Sequence, residues 1–117
     1  MTTSTPDGDE LVRIMAALAS PHRMRVLAAL AGGRNYVSRL ARELGISRPL
    51  LQVHLRKLEA VGLVRSDLEL SADGKALKFY EVVPFDLSLT PQVIEAAAGT
   101  LSGLDAPDGD AKKGIES

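Results

Sequence analysis

Few kinds of side chain in this sequence could do chemistry. The 117 residues contain no cysteine and only two histidines, His22 and His54. Disulfides, thiolate metal sites and cysteine nucleophiles are therefore excluded. The sequence has no glycine-rich phosphate loop, no His-Glu-x-x-His helix and no nucleophile with a matching histidine and acid. The chain is not expected to be an enzyme. His22 stands beside Arg23, a cation that disfavours a bound metal. A nickel or zinc site would have to be weak, built mainly from carboxylates or across a dimer. No metal ligand and no certain cofactor is assigned.

What remains is positive charge. Residues 20–60 carry Arg23, Arg25, Arg34, Arg39, Arg42, Arg48, Arg56 and Lys57 against only Glu43 and Glu59. The rest of the chain is acidic and brings the formal net charge to -1. A basic cluster is the electrostatic footprint of a phosphate binder, whatever the total. Charge alone also fits a solvated surface, so the elements beneath it have to decide.

Those elements follow from apolar spacing and punctuation. Residues 1–9 and 103–117 are expected to be disordered tails, the second acidic, because they have little to bury. Residues 10–102 form the folded unit. A first helix follows Asp9, with Leu11, Ile14, Met15 and Leu18 in one stripe. Ser20-Pro21 caps and starts a second helix, which ends at Gly32-Gly33. Arg23 lies on its apolar stripe and requires a partner, for which Glu43 or Glu59 is expected. A third helix runs from Val37 to Leu44, and Gly45 closes it. Ser47 caps a fourth helix over about 48–60. Residues 63–70 and 76–83 then alternate as a two-stranded hairpin around the turn Ser71–Lys75. Thr90-Pro91 opens a last helix presenting Val93, Ile94, Ala97 and Leu101. The order is ααααββα, mainly α with a small β-hairpin. The longest apolar runs fall far short of the ~20 residues that a membrane-spanning helix needs. With no signal-peptide core in residues 1–9, the expected location is the cytoplasm.

The segment Val37–Leu58 is the informative one for function. Two short helices meet at a tight turn with Ala41 where they cross, Gly45 where the backbone reverses and Ile46 plugging the corner. At 100° per residue Leu51, Leu55 and Leu58 face the core together. Pro49, Gln52, Val53, Arg56 and Lys57 then face out, with Arg48 beside the Ser47 cap. The N-terminal turn of such a helix can reach base edges in the major groove of duplex DNA. Arg48 suits guanine, Gln52 adenine and Val53 a thymine methyl. Arg56, Lys57, Arg39 and Arg34 suit phosphate. The aromatics Tyr36, Phe79, Tyr80 and Phe85 lie off this face, which disfavours stacking on single strands.

Three stretches extend this reading: 18–27 (LASPHRMRVL), 40–49 (LARELGISRP) and 54–64 (HLRKLEAVGLV). Over about residues 10–100 the chain resembles the ArsR/SmtB family of bacterial winged helix-turn-helix regulators. A narrower resemblance is to the SrnR-type regulators linked to nickel-dependent control of superoxide dismutase genes. The family resemblance implies a homodimeric repressor on a near-palindromic operator. It implies an interface of the first and last helices, through Leu11, Ile14, Met15, Leu18, Val93, Ile94, Ala97 and Leu101. It also implies a packing role for His54. Two departures stand out. The positions of the family's thiolate pair hold Tyr36 and Ser38, and the last helix has no histidine. The wing mixes Arg65, Lys75 and Lys78 with Asp67, Glu69 and Asp73, which argues against DNA contact by Lys75 and Lys78. These departures motivate a second reading: a winged-helix interaction module that needs a partner co-regulator for operator binding or metal sensing.

Overall fold

The computed structural model describes residues 6–102. Its elements are α1 (Gly8–Leu18), α2 (Pro21–Ala31), β1 (Asn35–Tyr36), α3 (Val37–Leu44), α4 (Arg48–Ala60), β2 (Val64–Leu70), β3 (Ala76–Val82) and α5 (Pro91–Ala98). The architecture is mainly helical with a small antiparallel sheet, a winged helix-turn-helix. Side-chain caps set most helix starts. Ser20 accepts from the Arg23 amide, Ser47 from Leu50 and Thr90 from Val93, with proline in the first turn each time. Gly45 adopts φ 70°, and the Ile46 amide donates to the Ala41 carbonyl, which turns the chain sharply from α3 into α4.

The sheet has three strands in the order β1-β3-β2, where the sequence suggests only a hairpin. β1 is two residues long and pairs Asn35 with Tyr80 and Tyr36 with Phe79. A segment that short has no periodicity to detect. The core gathers one face of each element: Val26 and Leu30 of α2, Leu40 and Ala41 of α3, the α4 leucines, and Leu63, Val64 and Tyr80 at the base of the sheet. Leu51, Leu55 and Leu58 are 0% exposed. Each fully buried leucine contributes roughly 1.5–3 kcal/mol, so α4 is held firmly in place.

Two expectations change at the α1–α5 contact. Helix α1 begins at Gly8, not after Asp9, because Asp7 is the cap and accepts from the Glu10 amide at 2.8 Å. The folded unit therefore includes residues assigned above to the tail. The rest of the tail assignments, residues 1–5 and 103–117, lie outside the described residues. Leu11 and Ala97, expected at a dimer interface, are 3% and 7% exposed and buried within the protomer. Ile14 and Leu18 pack against the same protomer's core. Met15 and Val93 are half-buried, and Ile94 and Leu101 are exposed. Helix α5 ends at Ala98, so Leu101 lies past it. An apolar stripe on a terminal helix does not reveal whether its own core or a partner covers it. Here much of it is turned inward.

Gly8 makes the α1–α5 contact possible. A Cβ there would stand 2.2 Å from the Ala97 carbonyl oxygen and 2.8 Å from the Leu101 side chain. Glycine-to-alanine in a helix ordinarily stabilises by about 0.5–1 kcal/mol. Gly8→Ala should instead destabilise by about 1–3 kcal/mol through overpacking, read as a lower midpoint in thermal denaturation.

Candidate nucleic-acid interface

Helix α4 carries the candidate interface. With the three leucines sealed inward, Arg48, Pro49, Gln52, Val53, Arg56 and Lys57 all lie on the exposed side, as the 100° spacing requires. Ser47 is exposed at the cap and accepts at 3.2 Å from Leu50. Arg48 therefore projects at the N-terminus of the helix, where the peptide dipoles favour an approaching anion.

The wing brings a further group to this side. In the β2–β3 register Leu68 faces Lys78 and Leu70 faces Ala76, while Asp67 faces Phe79 and Glu69 faces Leu77. Paired residues share a face of the hairpin and successive ones alternate. The mixed charge of the wing thus separates into two sides. Lys78 lies on the inner face with Leu68, Leu70 and Ala76. Arg65, Asp67, Glu69 and Glu81 lie on the outer face. A cleft of about 450 Å³ separates the wing from the starts of α3 and α4, and Lys78, Ser38, Arg48 and Gln52 all line it. Lys75, in contrast, sits in the turn at the tip, where its amide donates to the Ser71 hydroxyl.

Two arginines expected to contact phosphate are already paired. Arg34 donates to both carboxylate oxygens of Glu69, one bond being 2.7 Å, and stacks 4.5 Å above the Phe79 ring. This contact holds the Glu69 carboxyl below its usual range and pushes Arg34 up. Arg39 pairs with Glu43 at 3.3 Å, one helical turn on. Among the described residues, Arg48, Arg56 and Lys57 form no ion pair.

Comparison with known proteins identifies the family. Residues 18–67 match the helix-turn-helix domain family. The chain is 35% identical over 86 residues to an uncharacterised HTH-type transcriptional regulator of Methanocaldococcus jannaschii, covering 74% of this chain and 90% of that one. The chain belongs to the helix-turn-helix transcriptional regulators, with the winged fold of the ArsR family. The HTH-type regulator CmtR of Mycobacterium tuberculosis is 42% identical over 59 residues, half of each chain. Among solved structures, a homodimeric winged helix-turn-helix DNA-binding domain from Mycobacterium bovis, a possible ArsR-family regulator, superposes with TM-score 0.57 and 24% identity. That superposition covers 77% of this chain and 73% of the other. Reduced HlyU of Vibrio cholerae gives TM-score 0.55 at 23% identity, over 77% and 83% of the two chains. No helix of the regulator, among the described residues, is long and apolar enough to cross a membrane.

The regulator anchors α4 through a group that sequence spacing does not reveal. Arg23 bonds neither Glu43 nor Glu59. Its Nε donates to the Ala17 carbonyl at 2.5 Å, and Nη1 stands 3.2 Å from His54 Nδ1. The Ala17 carbonyl would ordinarily accept from the residue four ahead, but that residue is Pro21, which has no N–H. The guanidinium supplies the missing donor and sits at the negative end of the α1 dipole. Glu43 is occupied by Arg39 and Asn35, and Glu59 accepts from the Ser66 hydroxyl. His54 is buried on α4, in the packing role that the family resemblance implies. Arg23→Met should destabilise the regulator by about 1–3 kcal/mol, since it orphans a carbonyl and an imidazole nitrogen. Glu43→Gln and Glu59→Gln should each change stability by less than about 1 kcal/mol. Urea titrations of the three variants make the comparison.

Proposed function

We propose that this regulator acts as a homodimer of the ArsR type that binds a near-palindromic operator in duplex DNA through α4. The observation that carries the reading is a helix pinned by three fully buried leucines whose outward face includes Arg48, Pro49, Gln52, Val53, Arg56 and Lys57. Such a helix can lie in the major groove with its first turn toward the base edges. Arg48 matches the two acceptors of guanine and Gln52 the acceptor and donor of adenine, while Val53 offers an apolar contact to thymine. Arg56 and Lys57, further along, meet phosphates. Ser47 and Pro49 shape the entry of the helix. The inward side of the wing adds Lys78 across the cleft. Exposed Ile94 and Leu101, with Met15 and Val93, supply apolar surface for a partner copy. The homodimeric state of the Mycobacterium bovis domain supports that arrangement. Repression, and a nickel or zinc response of the SrnR type, extend the reading. Transcription in vitro with and without either metal decides both.

The test is a titration of the chain with duplex from its own upstream region, over a range of salt. A steep negative salt slope and specific affinity well above that for random duplex are expected. No preference for that duplex would favour the co-regulator reading. Arg48→Ala should cost about 1–3 kcal/mol of binding and relax specificity at one position. Lys78→Ala should weaken all sequences alike and lower the salt slope by about one. Arg34→Ala should do less than either, because Glu69 already neutralises its charge.

A further inference from the structure

We propose that Arg23 and His54 form a proton-sensitive linkage that sets the tilt of α4 in its DNA-reading orientation, so that protonation of His54 breaks the polar tie of α4 to α1 and α2 and weakens operator binding. Only the last step rests on the DNA-binding function proposed above.

The guanidinium of Arg23 joins three helices. From α2 it donates to the Ala17 carbonyl of α1 at 2.5 Å, approaches the Ala16 carbonyl at 3.5 Å, and meets His54 Nδ1 of α4 at 3.2 Å. A guanidinium can only donate, so Nδ1 accepts and the ring's own proton sits on Nε2. Nε2 is buried and has no hydrogen-bond partner among the described residues. A second proton on the ring must therefore go to Nδ1, the atom that faces Arg23. That proton turns an acceptor into a donor and sets one cation against another.

Nothing nearby offsets the added charge. The groups acting on the ring are Arg23 and His22 of α2 and Lys57 of α4, all cations or cation formers. The His22 ring lies 5.3 Å away, centroid to centroid. Among the described residues, no carboxylate of α1, α3 or β2 acts on it. Burial first, and the Arg23 charge second, hold the imidazole below the ordinary histidine range. The linkage is therefore intact near neutrality and breaks on acidification. His54 stands in the same helix as Arg48 and Gln52. The leucines fix the rotation of α4 about its axis, and loss of the Arg23 contact changes only the tilt of its first turn against α1 and α2, but bidentate base contacts do not survive long or bent hydrogen bonds.

The expected sign is opposite to simple electrostatics. An added proton raises the protein's positive charge and should strengthen attraction to phosphate. The linkage predicts weaker binding instead. Affinity for duplex from the chain's own upstream region is measured at pH 7.5 and 5.5, at constant ionic strength, with the protein shown to be folded at both. The wild type should lose affinity, with a limit of about tenfold for each unit by which DNA binding lowers the His54 pKa, reached once the pH lies below both values. His54→Gln can still accept from Arg23 but cannot titrate, so its affinity should not fall on acidification. An unchanged or rising wild-type affinity, or equal falls in both proteins, would overturn the proposal. NMR of the DNA-free wild type gives an independent reading. The Arg23 Nε–H and the α4 amides should shift along the His54 titration curve. If the imidazole titrates while those signals stay still, the linkage is refuted, whatever the DNA result. If the wild type shows no preference for the upstream duplex at pH 7.5, the DNA-binding function fails and NMR alone decides the linkage.

Discussion

Leu51, Leu55 and Leu58 sit at the centre of the molecule, each without exposed surface, and α4 can be placed in only one rotation about its axis while they remain there. A turn of the helix by one residue would bring a leucine into solvent and drive Gln52 or Arg56 into the core. Either change costs several kcal/mol, against a total stability of about 5–15 kcal/mol for a domain. The other elements complete the socket. Val26 and Leu30 come from α2, Leu40 and Ala41 from α3, and Val64 and Tyr80 from the sheet. The polar face of α4 is thus a consequence of packing on its opposite side.

Charge distribution follows the same logic. A net charge of -1 gives no hint of an anion-binding protein. The fold separates the signs. Glu69 and Glu43 neutralise Arg34 and Arg39 at the flanks, and Glu81 pairs with Arg65 on the outer side of the wing. The cations that form no ion pair among the described residues include Arg48, Arg56 and Lys57 on α4, with Lys78 across the cleft. Exposed ion pairs add little stability. Their effect here is to decide which basic residues keep their full field for a ligand.

How much of this was legible depended on the range of the interaction. Caps and turns are local, so Ser20, Ser47, Gly45 and Thr90 could be assigned from neighbouring letters, and the bounds of α3 and α4 followed. The outward face of α4 was equally readable, because helical periodicity is a property of one segment. The partners of Arg23 and Arg34 were not. Ala17 acts through a backbone carbonyl, which no residue type announces, and the need for it arises from Pro21. Glu69 lies far along the chain from Arg34 and meets it only because β1 and β2 both pair with β3. Strand β1 is too short to carry a pattern. The turning inward of Leu11 and Ala97 depends on Gly8, a residue whose importance is visible only once α5 lies against it.

If α4 enters the major groove and reads guanine through Arg48, once in each half of a symmetric site, the guanine N7 atoms there are shielded. Protection of guanine N7 from methylation, on duplex from the chain's own upstream region, measures that contact directly. Two clusters of protected guanines are predicted, one helical turn or about 34 Å apart. Protection should disappear from both clusters in Arg48→Ala while binding to phosphate persists. Uniform reactivity at saturating protein, or protection that Arg48→Ala leaves intact, would rule out guanine reading by Arg48.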